Sequence, residues 1–158
     1  MNTSFRVLIR CAGVGSIIAL LACAPSIPED PAALEAIIGA IEQGWKTGNG
    51  EPFREHFLDF PGARYIETGG QNEGLTDLIE NHVEPEGDAF DELAVTFGDV
   101  ETHFEDAFAW AVMDVEVQAT YRDGRQIHRR GYQTLLFRWA GDAWKVVHTH
   151  NSTRPVSQ

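Results

Sequence analysis

The sequence holds two cysteines among 158 residues, Cys11 and Cys23, and both fall near its start. Past that point no disulfide framework, thiol nucleophile or cysteine metal site is available, so a stretch of about one domain's length must hold by packing alone. Basic residues are scarce as well: 12 Lys and Arg stand against 24 Asp and Glu, for a formal net charge of −12. A chain this acidic is repelled by nucleic acid and by anionic lipid, which removes nucleic acid from the expected partners. A long hydrophobic run is also missing. The apolar stretch from Cys11 to Leu21 is too short for a bilayer, which takes about 20 residues.

What the N-terminus does carry is an address. Arg6 and Arg10 precede the apolar stretch, and small residues follow it in Leu20-Leu21-Ala22-Cys23, the pattern of an export signal. Leu-Leu-Ala-Cys resembles the lipobox of bacterial lipoproteins, which makes Cys23 the expected lipidation site and residues 1–22 the signal. The rival, cleavage after Ala22-Cys23-Ala24, would leave Pro25 at the new terminus. Residues 23–30, with Pro25 and Pro28, read as a short extended tether. The expected location is the bacterial cell envelope, on the periplasmic side of a membrane and held there by the lipid.

Residues 31–158 read as one domain. Asp30 is placed as an N-cap, Pro31 as the first helical residue, and Leu34, Ile37, Ile38, Ile41 and Trp45 recur at helical spacing until Gly48 and Gly50. A shorter helix with Phe53 and Phe57 on one side follows, then an extended stretch with turn glycines. The third helix puts Leu75, Leu78, Ile79 and His82 on one stripe, and Pro85 is expected to stop it. Beyond Asp88 the period becomes alternating. Asp99–Asp106 and Ala107–Tyr121 predict a hairpin, and turns at Asp123-Gly124 and Gly141-Asp142 lead into two further strands. Both sides of Leu135-Leu136-Phe137 are apolar, so parity does not decide which faces the core. Helices first and a long antiparallel sheet afterwards predict an α+β domain: a strongly curved sheet closing into a cone-shaped barrel on three N-terminal helices, with a pocket between. The half-apolar outer face of the sheet, with Phe108, Trp110 and Val112, predicts a homodimer across it.

The last strand, Trp144-Lys145-Val146-Val147-His148-Thr149-His150-Asn151-Ser152, decides where a site would lie. Strict alternation puts Trp144, Val146, His148, His150 and Ser152 on one face. Large apolar residues open that set, so the alternation predicts that the histidines and the serine point inward.

This closing stretch, together with the Asn81-His82-Val83-Glu84-Pro85-Glu86 segment and the strand through Trp110, resembles the SnoaL-like branch of the nuclear transport factor 2-like superfamily. It is also similar to the kinase II association domain, which ends on a related Trp-x-x-Val-His-x-His-x-Ser. The resemblance implies a cone with a pocket at its wide end and a dimer through the sheet. It implies Trp45, His82, Trp144, His148, His150 and Ser152 as pocket residues, to which we add the hydroxyl of Tyr65. Relatives carry an arginine two residues before the threonine of the preceding strand, where this chain has Tyr132 before Thr134.

His148 and His150 in a His-x-His strand can reach one ion, with His82 as a third ligand, but pocket histidines bonded to hydroxyls and carbonyls are the commoner use of that pattern. No cofactor is expected. Tyr65, Tyr121, Tyr132, Asp59 and Glu67 do not fall in the spacing of a ketosteroid-isomerase site, and Ser152 has no nucleophile elbow around it. The arginines at 122, 125, 129, 130 and 138 read as a solvated hairpin neutralised by neighbouring acids. The expectation is therefore an exported, lipid-anchored protein that binds a small organic molecule or serves as a dimeric association module. The alternative is a small isomerase, cyclase or hydrolase that uses the pocket histidines.

Overall fold

A computed structural model describes residues 26–157; the segment expected to be an export signal, and Cys23, lie outside the described residues. Helix α1 (Pro31–Thr47) begins where the sequence places its cap. The Asp30 carboxylate accepts from the backbone N–H groups of Ala32 and Ala33 at 3.1 and 3.3 Å, and the helix ends on Gly48 in the left-handed region at φ 61°. Its apolar stripe, Leu34, Ile37, Ile38 and Ile41, is buried against the sheet. Helix α2 (Glu51–His56) adds Phe53 and, just past its end, Phe57 to the same core.

A hairpin of two short strands follows, β1 (Arg64–Glu67) and β2 (Gly70–Glu73). Then comes one helical run made of α3 (Leu75–Leu78), a π-helical turn (Ile79–Val83) and α4 (Glu84–Ala89). The expectation that Pro85 stops this helix is corrected. The N–H of Glu84 bonds to the carbonyl of Ile79, five residues back, so the turn widens just ahead of Pro85. The proline then sits in the first turn of α4, where a missing N–H costs nothing.

The four long strands are β3 (Phe90–Glu105), β4 (Phe108–Tyr121), β5 (Gln126–Trp139) and β6 (Trp144–Pro155). Strand β3 starts nine residues earlier than the hairpin read from the sequence and carries register shifts at Phe90/Glu92 and Phe97/Val100, which bend it across the helices. The sheet order is β2-β1-β6-β5-β4-β3. β1 lies parallel to β6 while every other pair is antiparallel. The fold is therefore α+β as expected, but the sheet is mixed rather than antiparallel, and it stays open because β2 and β3 are its edges. The helices cover its concave face. Ala109, Ala111, Met113, Leu135 and Phe137 point into that core and Leu136, 38% exposed, points out, which settles the parity of β5.

Strand β6 breaks its own alternation. Leu136 pairs with His148 and Phe137 with Val146, so Val147 is an extra, unpaired residue: a β-bulge. Trp144 and Val146 face inward before it, and Thr149, Asn151 and Thr153 face inward after it. The inference that His148, His150 and Ser152 point into the cone is thus corrected, because one inserted residue exchanges the two faces of every position that follows.

Candidate functional site

Between the helices and the concave face lies a cavity of about 390 Å³. Its deep walls are apolar: Ile41, Phe53, Phe57 and Leu78 from the helical side, Val95, Phe97, Val115 and Leu135 from the sheet. Two polar groupings are set into this surface. The first centres on His82, which the widened π turn carries on the cavity side of its helix. Glu67 Oε1 lies 3.2 Å from His82 Nδ1, and Glu86 Oε1, one helical turn further on, lies 3.4 Å from Nε2. Asn72 Nδ2 approaches Nδ1 at 3.1 Å, and the Trp45 ring meets the imidazole edge-on at 5.1 Å.

The carboxylates address opposite nitrogens of one ring, so the group is a clamp on an imidazole and not a chelate. Burial pushes the Glu67 carboxyl up to about 7, with the Glu86 charge adding to the rise and the His82 charge opposing it. For His82 the desolvation pulls down, but the hydrogen bond its ring donates to Glu86 and the charges of Glu67, Glu86 and Asp77 outweigh it and hold the imidazole above its ordinary value. Glu67 thus changes protonation near neutrality, against an imidazole held above its ordinary value and beside an apolar chamber. That is the condition for acid–base chemistry.

The second grouping is a ladder on the sheet wall. Asn151 Nδ2 donates to Gln133 Oε1 at 3.1 Å, Thr68 Oγ1 donates to Asn151 Oδ1 at 3.2 Å, and the Thr68 and Thr153 hydroxyls are 3.1 Å apart. Arg129 closes the ladder, donating from Nε to Thr153 Oγ1 at 2.9 Å and from Nη2 to the Thr153 carbonyl at 3.0 Å.

Of the residues expected in the pocket, Trp45 and His82 line the cavity. Tyr65 is fully buried in the aromatic core beside Phe57, its hydroxyl without a hydrogen-bond partner, and burial raises its pKa to about 12. Trp144 is buried below the cavity, where its Nε1 donates to the Pro28 carbonyl at 3.2 Å. His148 lies on the far side of the sheet and donates from Nδ1 to the Arg64 carbonyl at 2.7 Å; His150 and Ser152 are exposed on that side. His82 therefore shares no site with His148 and His150. Among the described residues no group of three or more His, Cys, Asp or Glu is arranged to hold a metal ion.

The sequence reading leaves out Glu86, Gln133, Asn151 and Arg129 as pocket residues and weighs Glu67 only as an isomerase carboxylate that falls outside the expected spacing. Glu86 was within reach of the sequence, being four residues after His82 on one helix. Glu67 was not, because a turn and a strand pairing bring it there.

The SnoaL-like domain family matches residues 32–157. Among solved structures, the chain is similar to a nuclear transport factor 2-like superfamily protein from Salmonella enterica serovar Typhimurium, with a TM-score of 0.69 and 19% identity over 79% of this chain and 89% of that one. It is similar to a protein of cystatin-like fold from Caulobacter vibrioides, with a TM-score of 0.62 and 24% identity over 80% and 89% of the two chains. A third likeness is to hexachlorocyclohexane dehydrochlorinase LinA-type3 from Novosphingobium barchaimii, with a TM-score of 0.64 and 15% identity over 80% and 89%. At these identities the likeness is one of fold. No curated protein matches the chain.

Proposed function

Because the chain belongs to the SnoaL-like domain family, we propose that its cone binds a small organic molecule and that the Glu67–His82 pair takes a proton from it. The carrying observation is the clamp itself: an imidazole between two carboxylates at the edge of an apolar cavity. With Glu67 raised to about 7 and His82 also raised, the cluster holds a proton at low pH, and its carboxylate becomes free to take one as pH rises through about 7. The two groups are read as one acceptor, since protonation of either changes the other. Proton removal from carbon is the step shared by isomerisation and elimination, and a dehydrochlorinase is among the proteins that share the fold. Export, a lipid on Cys23 and a dimer across the outer sheet face remain part of the proposal.

A probe that asks only for a positioned base in an apolar cavity tests this reading. Nitrobenzisoxazole loses its ring C–H proton to a base while the N–O bond breaks, and the electron pair leaves as a coloured cyanophenolate. The expected outcome is ring opening above the buffer rate, rising as pH passes about 7 where Glu67 ionises. Glu67→Gln and His82→Gln should each cost about two orders of magnitude in rate, with unchanged circular dichroism. Equal rates in these variants and the unaltered protein would leave the pair without a catalytic part.

A further inference from the structure

Arg129 is the one cavity-lining residue whose charge the described protein leaves without an opposite. Its neighbour Arg130 faces outward and grips Glu116 through Nη2 at 3.0 and 2.9 Å. Arg129 faces inward between Val117 and Pro155 on the flanking strands, and among the described residues it has no carboxylate partner. In a chain with twice as many acidic as basic residues, a half-buried guanidinium without one is a cation held for something else.

Its geometry says which edge is available. A guanidinium has five N–H donors in a fixed plane. Thr153 takes the Nε and Nη2 edge through its hydroxyl and its carbonyl, and Thr153 is itself tied to Thr68. The side chain is thereby locked, with the Nη1/Nη2 end left over. That end is a fork matching the two oxygens of a carboxylate. Thr68 is adjacent in sequence to Glu67, so the fork and the acid–base pair border one chamber.

We infer that the cavity takes an organic acid, its carboxylate seated on the Nη1/Nη2 end of Arg129 and its apolar body against Phe97, Val115 and Leu135. This names the substrate class of the proposed site and rests on that reading only for which carbon is deprotonated. Binding of the acid stands on Arg129 alone. Glu67 from β1 and Glu86 from α4 oppose an anion in the cavity, so affinity for the acid falls as pH rises through neutrality and Glu67 gains its charge.

The test is a titration with benzoate and with its neutral counterpart benzamide, followed by the amide and guanidinium NMR signals of Thr153 and Arg129. Benzoate is expected to bind at least about tenfold more tightly than benzamide, the margin of a charge-assisted pair. Arg129→Gln should abolish the difference while leaving benzamide binding in place, which also reports that the cavity is intact. Arg129→Lys, with a point charge but no fork, should restore only part of it. Equal affinities in the unaltered protein, a preference that survives Arg129→Gln, or binding of neither probe would each overturn the inference. A benzoate preference without nitrobenzisoxazole ring opening would sink the acid–base reading alone; ring opening without the preference would sink the organic acid alone.

Discussion

Glu67 shows how much one carboxyl can carry. Its ordinary value is 4.5 and in the fold it is about 7, so between those pH values the folded protein holds a proton that the unfolded chain has released. A group raised in this way supports the fold below its unfolded pKa, and that support is lost as pH rises through the folded one. His82, also raised, acts in the same direction. The urea midpoint of the unaltered protein is therefore expected to fall between about pH 5 and about pH 7.5 by more than that of Glu67→Gln, in which the titrating carboxyl is gone. In the same variant the imidazole keeps Glu86 but loses the negative charge at Nδ1, so its ring NMR signals should titrate at lower pH. A ring titration unmoved by the substitution would mean that Glu67 and His82 are not coupled. Little of this could be read from the sequence. The stripe on which His82 lies and its partner Glu86 four residues on were legible from helical spacing, whereas the charge at its other nitrogen comes from Glu67, fifteen positions earlier in the chain and brought close by strand pairing.

Elements were legible where local chemistry decides them and illegible where pairing does. Asp30, Pro31 and Gly48 bound α1 by capping and backbone preference, and the alternation of Ala109, Ala111, Met113 and Val115 marks the buried face of β4. The bulge at Val147 has no such mark, because any residue fits an unpaired bulge position, and it turned a sound alternation argument to the wrong face. The arginine cluster misled for a related reason. With the parity of β5 open, Arg129 and Arg130 read as two solvated charges, although they occupy opposite faces of one strand. Gly131 shows how closely β5 and β6 approach just there: a Cβ on it would stand 1.8 Å from the Ser152 carbonyl oxygen. Deleting Val147 removes the extra residue and leaves strict alternation, so Trp144 and Val146 stay inward, His148 and His150 outward, and Thr149, Asn151 and Thr153 inward. The deletion is therefore expected to retain benzamide binding, as is Val147→Ala; loss of binding in the deletion alone would mean that the bulge shapes the cavity beyond exchanging the faces of the strand.

At the scale of the molecule the sheet separates two jobs. Its concave face holds the cavity; its convex face presents the His103–Trp110 stack, with ring centroids 5.1 Å apart, beside Leu136, Tyr132 and Phe108. Phe108 and Tyr132 are 51% and 62% exposed, and large apolar groups this open on one face of the sheet favour a second copy, since a stable dimer needs about 800 Å² from each partner. Leu136→Glu is therefore expected to yield a monomer by native mass spectrometry with nitrobenzisoxazole turnover retained, and a dimer that persists would place the interface elsewhere. The chain's approach to the fold gives the cavity an orientation. Ile27 packs on the core and Pro28 accepts from Trp144 at the start of β6. Thr153, at the rim of the cavity, lies about 30 Å further along the same strand at the usual rise per residue. A lipid on Cys23 would thus hold the membrane near the Trp144 end, with the Arg129 fork turned toward the aqueous side, where a charged acid is dissolved. Cys23→Ala should then move the protein from the membrane to the soluble fraction without changing its benzoate affinity; a protein that stays with the membrane would be held there by something other than this cysteine.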